Sequence, residues 1–201
     1  MKKKTLVIDL DRCIGCYSCE ISCKNENLID LGVYYNKVQT MGPSGKFPDI
    51  EMYYLPTVCQ SCKNAPCVEV CPTGASYIND EGVILIDKAK CIGCLACMSA
   101  CPYGARSFNV GVGVVEKCTL CDHLKAPDKP ACVKACCAKA RFVGDIEDPD
   151  SDVSKAIKAA GKENVHSLPD SGNGPTVRYI LHDKTAKWIN KEQWKFFPDA
   201  D

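Results

Sequence analysis

The sequence has no hydrophobic run long enough to cross a membrane. Its longest uninterrupted aliphatic stretch is Val83-Ile84-Leu85-Ile86, whereas a membrane-spanning helix needs about 20 predominantly apolar residues. The basic start MKKK is followed only by a short apolar segment, residues 6–8, before Asp9, which is too short for the core of a signal peptide. We therefore expect a soluble subunit with no membrane span or export signal of its own, peripheral in a membrane-associated complex, on an undetermined side of the membrane.

Neither sign of charge is in excess, because 25 acidic residues balance 25 basic ones. A chain without a basic surplus gives no reason to expect a nucleic-acid partner. Histidine is scarce, with three in the chain, and no serine–histidine–acid set or pair of catalytic carboxylates stands out. The sequence therefore predicts a protein without a catalytic site of its own.

Cysteine is the residue in excess: 17 of 201 residues, arranged in four groups that each end with a three-residue gap before the last cysteine. The first two groups are Cys13, Cys16, Cys19 and Cys23, and then Cys59, Cys62, Cys67 and Cys71. The third and fourth groups are Cys91, Cys94, Cys97 and Cys101, and then Cys118, Cys121, Cys132 and Cys136, with Cys137 directly after them.

The spacing within these groups is typical of ferredoxins that bind two [4Fe–4S] clusters. In such proteins the run C-x2-C-x2-C-x3-C-P gives three ligands to one cluster, and its fourth cysteine binds the other cluster. The first and third groups repeat one unit, with CIGC at 13–16 and at 91–94, and proline follows Cys71 and Cys101. We expect the last cysteine of each group to begin a helical turn. Tyr77-Ile78 and residues 83–86 are expected to form a hairpin between the second and third groups.

Two other uses of cysteine remain open at this point. Paired CxxC knuckles also bind zinc, although a closed zinc site needs no third cysteine at the two-residue spacing. A disulfide framework is the second alternative, and it would leave at least one of an odd number of cysteines unpaired. Basic residues near the groups (Arg12, Lys88, Lys90 and Lys117) are either neutralising charges for bound clusters or ordinary surface residues.

The order of the four groups resembles the iron–sulfur (B) subunits of the dimethyl sulfoxide reductase family of molybdenum or tungsten enzymes. Polysulfide reductase B subunits are the most similar in length and tail. Beyond the cysteines, the resemblance includes KCTLC at 117–121, KPAC at 129–132, RFVGD at 141–145 and EDPDS at 147–151. One position departs from the family pattern, because Cys137 stands where proline usually follows the last cysteine.

The resemblance implies an α+β fold of two ferredoxin-like units that each bind two clusters, one inserted in the other. The first unit comprises residues 1–57 and 111–147, and the inserted unit comprises residues 58–110. Residues 148–201 then form a C-terminal helix, predicted at 151–160, a loop at 162–175 and an extended tail. The aromatic residues of the tail either pack on the chain's own surface or contact a partner, and the resemblance favours the partner. The aromatic residues of this tail are Tyr179, Trp188, Trp194, Phe196 and Phe197.

The resemblance also implies four [4Fe–4S] clusters, each at a site of four cysteines. Site I is Cys13, Cys16, Cys19 and Cys136, and site II is Cys118, Cys121, Cys132 and Cys23. Site III is Cys59, Cys62, Cys67 and Cys101, and site IV is Cys91, Cys94, Cys97 and Cys71. Cys137 is expected to be a small buried residue that binds no iron, because only Cys136 keeps the spacing of the other groups.

By the same resemblance, this chain is an electron-transfer subunit. Its partners would be a molybdopterin-containing catalytic subunit and a quinone-linked membrane anchor or a soluble redox protein. The alternative is a similar four-cluster subunit of a hydrogenase or of a formate-oxidising complex. The substrate of the partner and the direction of electron flow are not determined by these residues.

Overall fold

The computed structural model describes residues 3–124 and 127–182. The helices are α1 (Ser18–Asn27), α2 (Pro66–Glu69), α3 (Ala96–Ser99), α4 (Ala131–Lys134) and α5 (Asp152–Ala160). The first strands are β1 (Lys4–Asp9), β2 (Asn36–Lys46), β3 (Asp49–Val58), β4 (Ser76–Ile78) and β5 (Ile84–Ile86). The remaining strands are β6 (Ser107–Asn109), β7 (Val114–Glu116), β8 (Arg141–Asp145), β9 (Val165–His166) and β10 (Arg178–Ile180). This mixture of helices and strands confirms the predicted α+β class.

A four-stranded sheet, in the order β8-β1-β10-β9, joins the beginning of the chain to its later part. Its inner strand β1 has Leu6, Val7 and Ile8 fully buried, as expected of a continuous apolar run inside a sheet. β1 pairs antiparallel with β8, and the Asp9 N–H donates to the Ala140 carbonyl oxygen at 2.8 Å. Because the first cysteine group follows β1 and the fourth precedes β8, this pairing brings the two groups side by side.

The remaining strands form three two-stranded hairpins. The predicted hairpin between the second and third cysteine groups is confirmed, since β4 pairs antiparallel with β5. A second hairpin, β6–β7, follows the third group. The long hairpin β2–β3, which follows the first group, was not predicted from the sequence.

Each cysteine group contributes a short helix, but not where the sequence analysis put it. The third cysteine of each group lies inside a helix, namely Cys19, Cys67, Cys97 and Cys132. The last cysteine was expected to begin a helical turn, and this expectation was wrong. In the first group Cys23 lies inside the ten-residue helix α1. In the other three groups the last cysteine follows the end of the helix, as seen at Cys71, Cys101 and Cys136. The third and last cysteines of a group are four residues apart, which is about one helical turn, so a one-turn helix that contains the third cysteine ends before the last.

The predicted C-terminal helix is confirmed as α5. Ser151 is its N-cap, and the Ser151 hydroxyl accepts a hydrogen bond from the Ser154 N–H at 3.1 Å. The helix ends at Gly161, whose φ of 81° suits glycine. Val153 is fully buried and packs against Val7 and Ile180 of the four-stranded sheet.

The segment after α5 differs from its prediction in two respects. Residues 162–175 were expected to be a loop, but they include a turn of 3-10 helix (Lys162–Asn164) and strand β9. Tyr179 was counted among the partner-binding aromatic residues of the tail, and that was wrong, because it is fully buried in β10. Trp188, Trp194, Phe196 and Phe197 lie outside the described residues. The division at residues 57, 110 and 147 stays a prediction.

Among residues 3–124 and 127–182, no helix combines the length and the apolar character that a membrane crossing requires.

Candidate iron–sulfur centres

Site I is a small cavity whose lining includes the four thiols of Cys13, Cys16, Cys19 and Cys136. Apolar residues complete the wall, among them Ile8, Val38 and Pro56. Gly15 lies in the loop between the first two thiols at a φ of 65°, and a Cβ there would come within 2.5 Å of the Tyr54 ring. The loop therefore curls closely around the cavity at a position that suits only glycine.

Site II is a second cavity, lined by Cys23, Cys118, Cys121 and Cys132. Leu6, Tyr35, Val58 and Leu120 also line it, so its thiols face an apolar interior. Three of these thiols come from the fourth cysteine group and one from the first. The structure thus brings the first and fourth groups together at two neighbouring cavities.

Sites III and IV draw on the second and third groups. At site III, the thiols of Cys59, Cys67 and Cys101 all lie close enough to Cys62 to affect its pKa. At site IV, Cys91, Cys94 and Cys97 share one loop and helix, and α3 packs against α2, which precedes Cys71. Gly93 in this loop repeats the role of Gly15: its φ is 66°, and a Cβ would meet the Gly113 carbonyl oxygen at 2.5 Å.

The four sites differ in how deeply their cysteines are buried. Site II is buried at all four cysteines, and site III is buried at Cys59, Cys62 and Cys67. Sites I and IV each have one exposed cysteine, which is Cys16 and Cys94 respectively. The charge of the Cys59 thiol raises the pKa of Cys118, so site III is next to site II. Sites II and III are therefore the more buried neighbours, whereas sites I and IV each reach the surface at one cysteine.

Burial keeps the interior thiols protonated in the metal-free protein. All 17 cysteines lie within the described residues, and each is a free thiol. Burial, followed by the charge of neighbouring thiols that include Cys132 and Cys59, raises the pKa of Cys118 to about 12. Burial likewise raises the pKa of Cys62 to about 12. Iron binding requires thiolates, so loading these sites must release protons.

Backbone and side-chain N–H groups donate to several of these sulfur atoms. The Ala140 N–H lies 3.2 Å from the Cys136 Sγ, the Ser76 N–H lies 3.4 Å from the Cys71 Sγ, and the Leu120 N–H lies 3.4 Å from the Cys118 Sγ. Such donors stabilise the negative charge of a thiolate. The last cysteine of two different groups, Cys71 and Cys136, thus has the same kind of partner.

Asn173 is a site residue that the sequence analysis missed. It is buried, and its Nδ2 atom lies 3.0 Å from the Cys62 Sγ and 2.8 Å from the Tyr103 hydroxyl. Residue 173 lies in a segment rich in Gly, Pro and Ser, which the sequence analysis treated as a plain loop. Nothing in the local sequence signals this contact, because it spans 111 positions.

Two buried arginines, Arg106 and Arg141, lie against the thiols. Burial lowers the pKa of Arg141, but the thiols of Cys132 and Cys19 outweigh burial and raise it. The thiols of Cys67 and Cys97 act in the same way on Arg106. The Nη1 atom of each arginine has no hydrogen-bond partner among the described residues. A buried cation with an unused N–H group, next to four thiols, fits a site for an anionic iron–sulfur cluster.

The basic residues noted in the sequence fall into two classes. Lys117 is buried, and its Nζ atom donates to the carbonyl oxygens of Ile84 and, at 2.8 Å, Cys118. Lys88 and Lys90 have exposed side chains and form ion pairs with Glu116 and Asp87. Arg12 is exposed. Charge in the interior is screened far less than charge in water, so Lys117 is the member of this set that affects a cluster most.

Cys137 was expected to be buried, and this was wrong. It is exposed because it lies in the turn after α4, and its sulfur is 3.7 Å from the Cys16 sulfur. Cys136, by contrast, lines the site I cavity. The assignment of Cys136 as the ligand stays a prediction, as do the other fifteen ligand assignments.

Comparison with known protein families identifies domains that bind iron–sulfur clusters. A family model described as a 4Fe-4S dicluster domain matches residues 50–146, and a second model with the same description matches residues 12–75. Two dicluster domains correspond to four [4Fe–4S] clusters.

Several relatives are similar to nearly the whole chain. The B subunit of the sulfite dehydrogenase of Allochromatium vinosum is 43% identical over 96% of this chain and 89% of its own length. The arsenate respiratory reductase iron–sulfur subunit of a Shewanella species is 37% identical over 87% and 94%. The B component of the polysulfide reductase of Wolinella succinogenes is 38% identical over 91% and 96%.

Since these relatives are iron–sulfur subunits of oxidoreductase complexes and the match extends over most of each chain, the resemblance of the cysteine groups reflects common ancestry. The grouped thiols agree with a protein that passes electrons through iron–sulfur clusters. This protein belongs to the iron–sulfur (B) subunits of the dimethyl sulfoxide reductase family, which are non-catalytic electron-transfer subunits with four [4Fe–4S] clusters.

Proposed function

We propose that this chain conducts single electrons through sites I, II, III and IV, in that order or in reverse, between a molybdopterin-containing catalytic subunit and a second redox partner. The second partner is a quinone-linked membrane anchor or a soluble redox protein. The observation that carries this proposal is the burial order, in which sites II and III lie in the interior and sites I and IV reach the surface.

The grouping of thiols supports the ligand set of each cluster. Site I and site II would be held by thiols from the first and fourth groups, and sites III and IV by thiols from the second and third. The antiparallel pairing of β1 with β8 supports an arrangement in which residues 58–110 form a unit inserted in the other. A cluster bound at each site would supply one-electron redox chemistry, and the potentials of such clusters span roughly −700 to +450 mV from protein to protein.

The chain's own residues have three tasks in this function. The thiolates fix the positions of the iron atoms, so an electron passes with little rearrangement. The N–H donors at Cys71, Cys118 and Cys136 stabilise charge on the sulfur atoms. Apolar residues such as Leu6 and Val58 exclude water from the buried sites, and both hydrogen bonding and solvent exclusion affect the potential.

The two sites that reach the surface, site I and site IV, have exposed apolar side chains nearby that are suited to contact with a partner. Ile14, two residues before Cys16, is 62% exposed, and Ile92, two residues before Cys94, is 66% exposed. Apolar residues at the centre of an interface exclude water from the contact. Contacts of this kind at site I and site IV would give an electron a short path into and out of the chain.

Anaerobic purification of the native complex tests the identity of the partners. Mass spectrometry of the proteins that co-purify with this chain should identify a subunit with a pterin-binding sequence and molybdenum or tungsten. A partner with a nickel site would contradict the proposal and favour the alternative of a hydrogenase complex.

Substitution of a cysteine at site I tests the proposed path of electrons through the four sites. Cys16→Ser should remove or convert the cluster at site I and uncouple the catalytic subunit from its physiological donor, while reduction by artificial dyes continues. Cys137→Ser is the matched control, because it changes the exposed thiol nearest to Cys16 and should preserve both activities. Undiminished coupling in a Cys16→Ser complex that has lost site I iron would contradict the route.

A further inference from the structure

Arg106 and Arg141 occupy the same position in two different parts of the chain. Each lies five residues after the last cysteine of its group: Arg106 after Cys101, and Arg141 after Cys136. Each also stands where a strand begins, since Arg141 is the first residue of β8 and Arg106 directly precedes β6. The second group has Ser76 at this position and the first has Leu28, so the arginine occurs once in each pair of sites.

Each arginine interacts electrostatically with thiols from both sites of its pair, and Arg141 also lines the site I cavity. Arg106 is 5% exposed, and its neighbours include Cys67 of site III and Cys97 of site IV. Arg141 is 4% exposed, and its neighbours include Cys132 of site II and Cys19 of site I. Both guanidinium groups are therefore buried near thiols of two sites.

Within the described parts of the chain, residues 3–124 and 127–182, neither guanidinium group has a carboxylate as a hydrogen-bond or ion-pair partner. Nη2 of Arg106 donates to the Ser76 hydroxyl at 2.8 Å, and Nη2 of Arg141 donates to the Asn36 side-chain oxygen at 2.7 Å. Both acceptors are neutral. A buried charge is costly unless an opposite charge is near, and the opposite charge available here is that of the thiolates and the clusters they bind.

From this arrangement we infer that Arg106 and Arg141 are positioning residues that set reduction potentials, each raising the potentials of both clusters near which it lies. The inference rests on the proposed ligand sets. Reduction adds one electron, and hence one negative charge, to a cluster, with no change in its bonds to the thiolates. A fixed positive charge nearby stabilises the reduced form more than the oxidised form, and weakly screened surroundings make the effect large.

Placing the charge near two clusters has a specific consequence. Both potentials rise, so the difference between neighbouring clusters, which drives an electron from one to the other, changes by less than the larger of the two shifts. The two pairs are adjusted separately, by Arg106 for sites III and IV and by Arg141 for sites I and II. Each arginine thus raises the reduction potentials of its pair of clusters without obstructing electron transfer within the pair.

Redox titration of the anaerobically purified complex, followed by low-temperature paramagnetic resonance, tests this inference. The variants are Arg106→Met and Arg141→Met, which keep an apolar stem and remove the charge, with Arg106→Lys and Arg141→Lys as charge-conserving controls. We expect Arg106→Met to lower two of the four midpoint potentials and Arg141→Met to lower the other two. The lysine variants should restore most of each loss.

Iron content separates failure of this inference from failure of the proposed function. Wild-type complex with far fewer than about sixteen irons per chain would contradict the proposed clusters themselves. Wild-type iron content with unchanged potentials in both methionine variants would overturn only the role of the arginines. Equal shifts of all four potentials in one variant would also overturn it, because each arginine is assigned to a single pair.

A second pair of variants keeps the inference testable if the methionine variants do not assemble. Asn36→Asp puts a carboxylate at the hydrogen-bond acceptor of Arg141, and Asn36→Leu removes the same side-chain amide without adding charge. Since the Asn36 amide also interacts with the Cys19 thiol, the two variants must be compared with each other. We expect lower potentials at sites I and II in Asn36→Asp than in Asn36→Leu, and equal potentials would overturn the inference.

Discussion

The side-chain amide of Asn173 donates to the sulfur atom of Cys62 across 3.0 Å, although the two residues are 111 positions apart in the chain. The same amide donates to the Tyr103 hydroxyl at 2.8 Å, and that hydroxyl donates in turn to the Pro169 carbonyl oxygen at 2.9 Å. The loop before β10 is thereby fixed over site III. A segment outside the four cysteine groups thus helps to form a cluster site.

Removing this amide should weaken site III selectively. In Asn173→Leu, the Cys62 sulfur loses a hydrogen bond that stabilises its thiolate form, so we expect a lower potential at site III. Loss of such an outer partner typically costs about 10-fold to 100-fold in metal affinity, which iron release to a chelator would measure. Asn64→Ala is the control, because it loosens the same loop at Gly172 without touching the sulfur. Equal effects in both variants would contradict a role for the amide itself.

Lys117 should affect cluster potentials much more than the surface lysines. It is 2% exposed and donates to the carbonyl oxygen of Cys118, next to the contact between sites II and III. Lys117→Met should therefore lower the potentials of both buried clusters. Lys90→Met, which removes a solvent-screened charge paired with Asp87, should leave all potentials nearly unchanged. A redox titration in which both variants behave alike would refute this distinction.

Cys136 and Cys137 should differ in their effect on iron content. Cys136→Ser is expected to lower the iron content from about sixteen to about twelve per chain, or to about fifteen if a three-iron cluster remains. Cys137→Ser should keep all the iron, because Cys137 is exposed and outside the lining of site I. Iron and acid-labile sulfide analysis of the two proteins measures this directly. The reverse pattern would identify Cys137 as the ligand.

Alanine should be tolerated better at Gly15 than at Gly93. Both glycines have positive φ values, 65° and 66°, where a residue with a Cβ costs roughly 1–2 kcal/mol. The added Cβ at Gly15 meets the ring of Tyr54, which is a side chain that can move. At Gly93 it meets a backbone oxygen, that of Gly113, which is part of the turn between β6 and β7. We therefore expect Gly93→Ala to lower the melting temperature and the iron content more than Gly15→Ala does.

His182 should titrate above its usual range. The hydrogen bond with the Asp11 carboxylate, at 2.7 Å, and the charge of that carboxylate raise the pKa of His182. Because the folded-state pKa is raised, this contact contributes its full stabilisation below the ordinary value near 6.5. The contribution is lost as the pH rises through the higher folded-state value. NMR titration of the imidazole should give a lower pKa in Asp11→Asn, and an unchanged pKa would contradict the contact.

The local features near the cysteines were predictable because they depend on short-range spacing. The hairpin β4–β5 follows from two apolar segments separated by turn residues, and α5 follows from Ser151, the apolar face that includes Val153, and Gly161. The position of the one-turn helices relative to the last cysteine of each group was not predicted. The expectation put the last cysteine at the start of a turn, although a spacing of four residues is equally compatible with its end.

The sequence by itself determined the chemistry of this protein, because the number, the grouping and the internal spacing of the cysteines are properties of the linear chain. Only the tertiary structure decided what surrounds those sulfur atoms: Asn173 at Cys62, the buried Arg141 near Cys19 and Cys132, and the exposure of Cys137. The physical reason is that these contacts join segments far apart in the chain. They depend on how the sheet and hairpins pack, and no local pattern of residues encodes that packing.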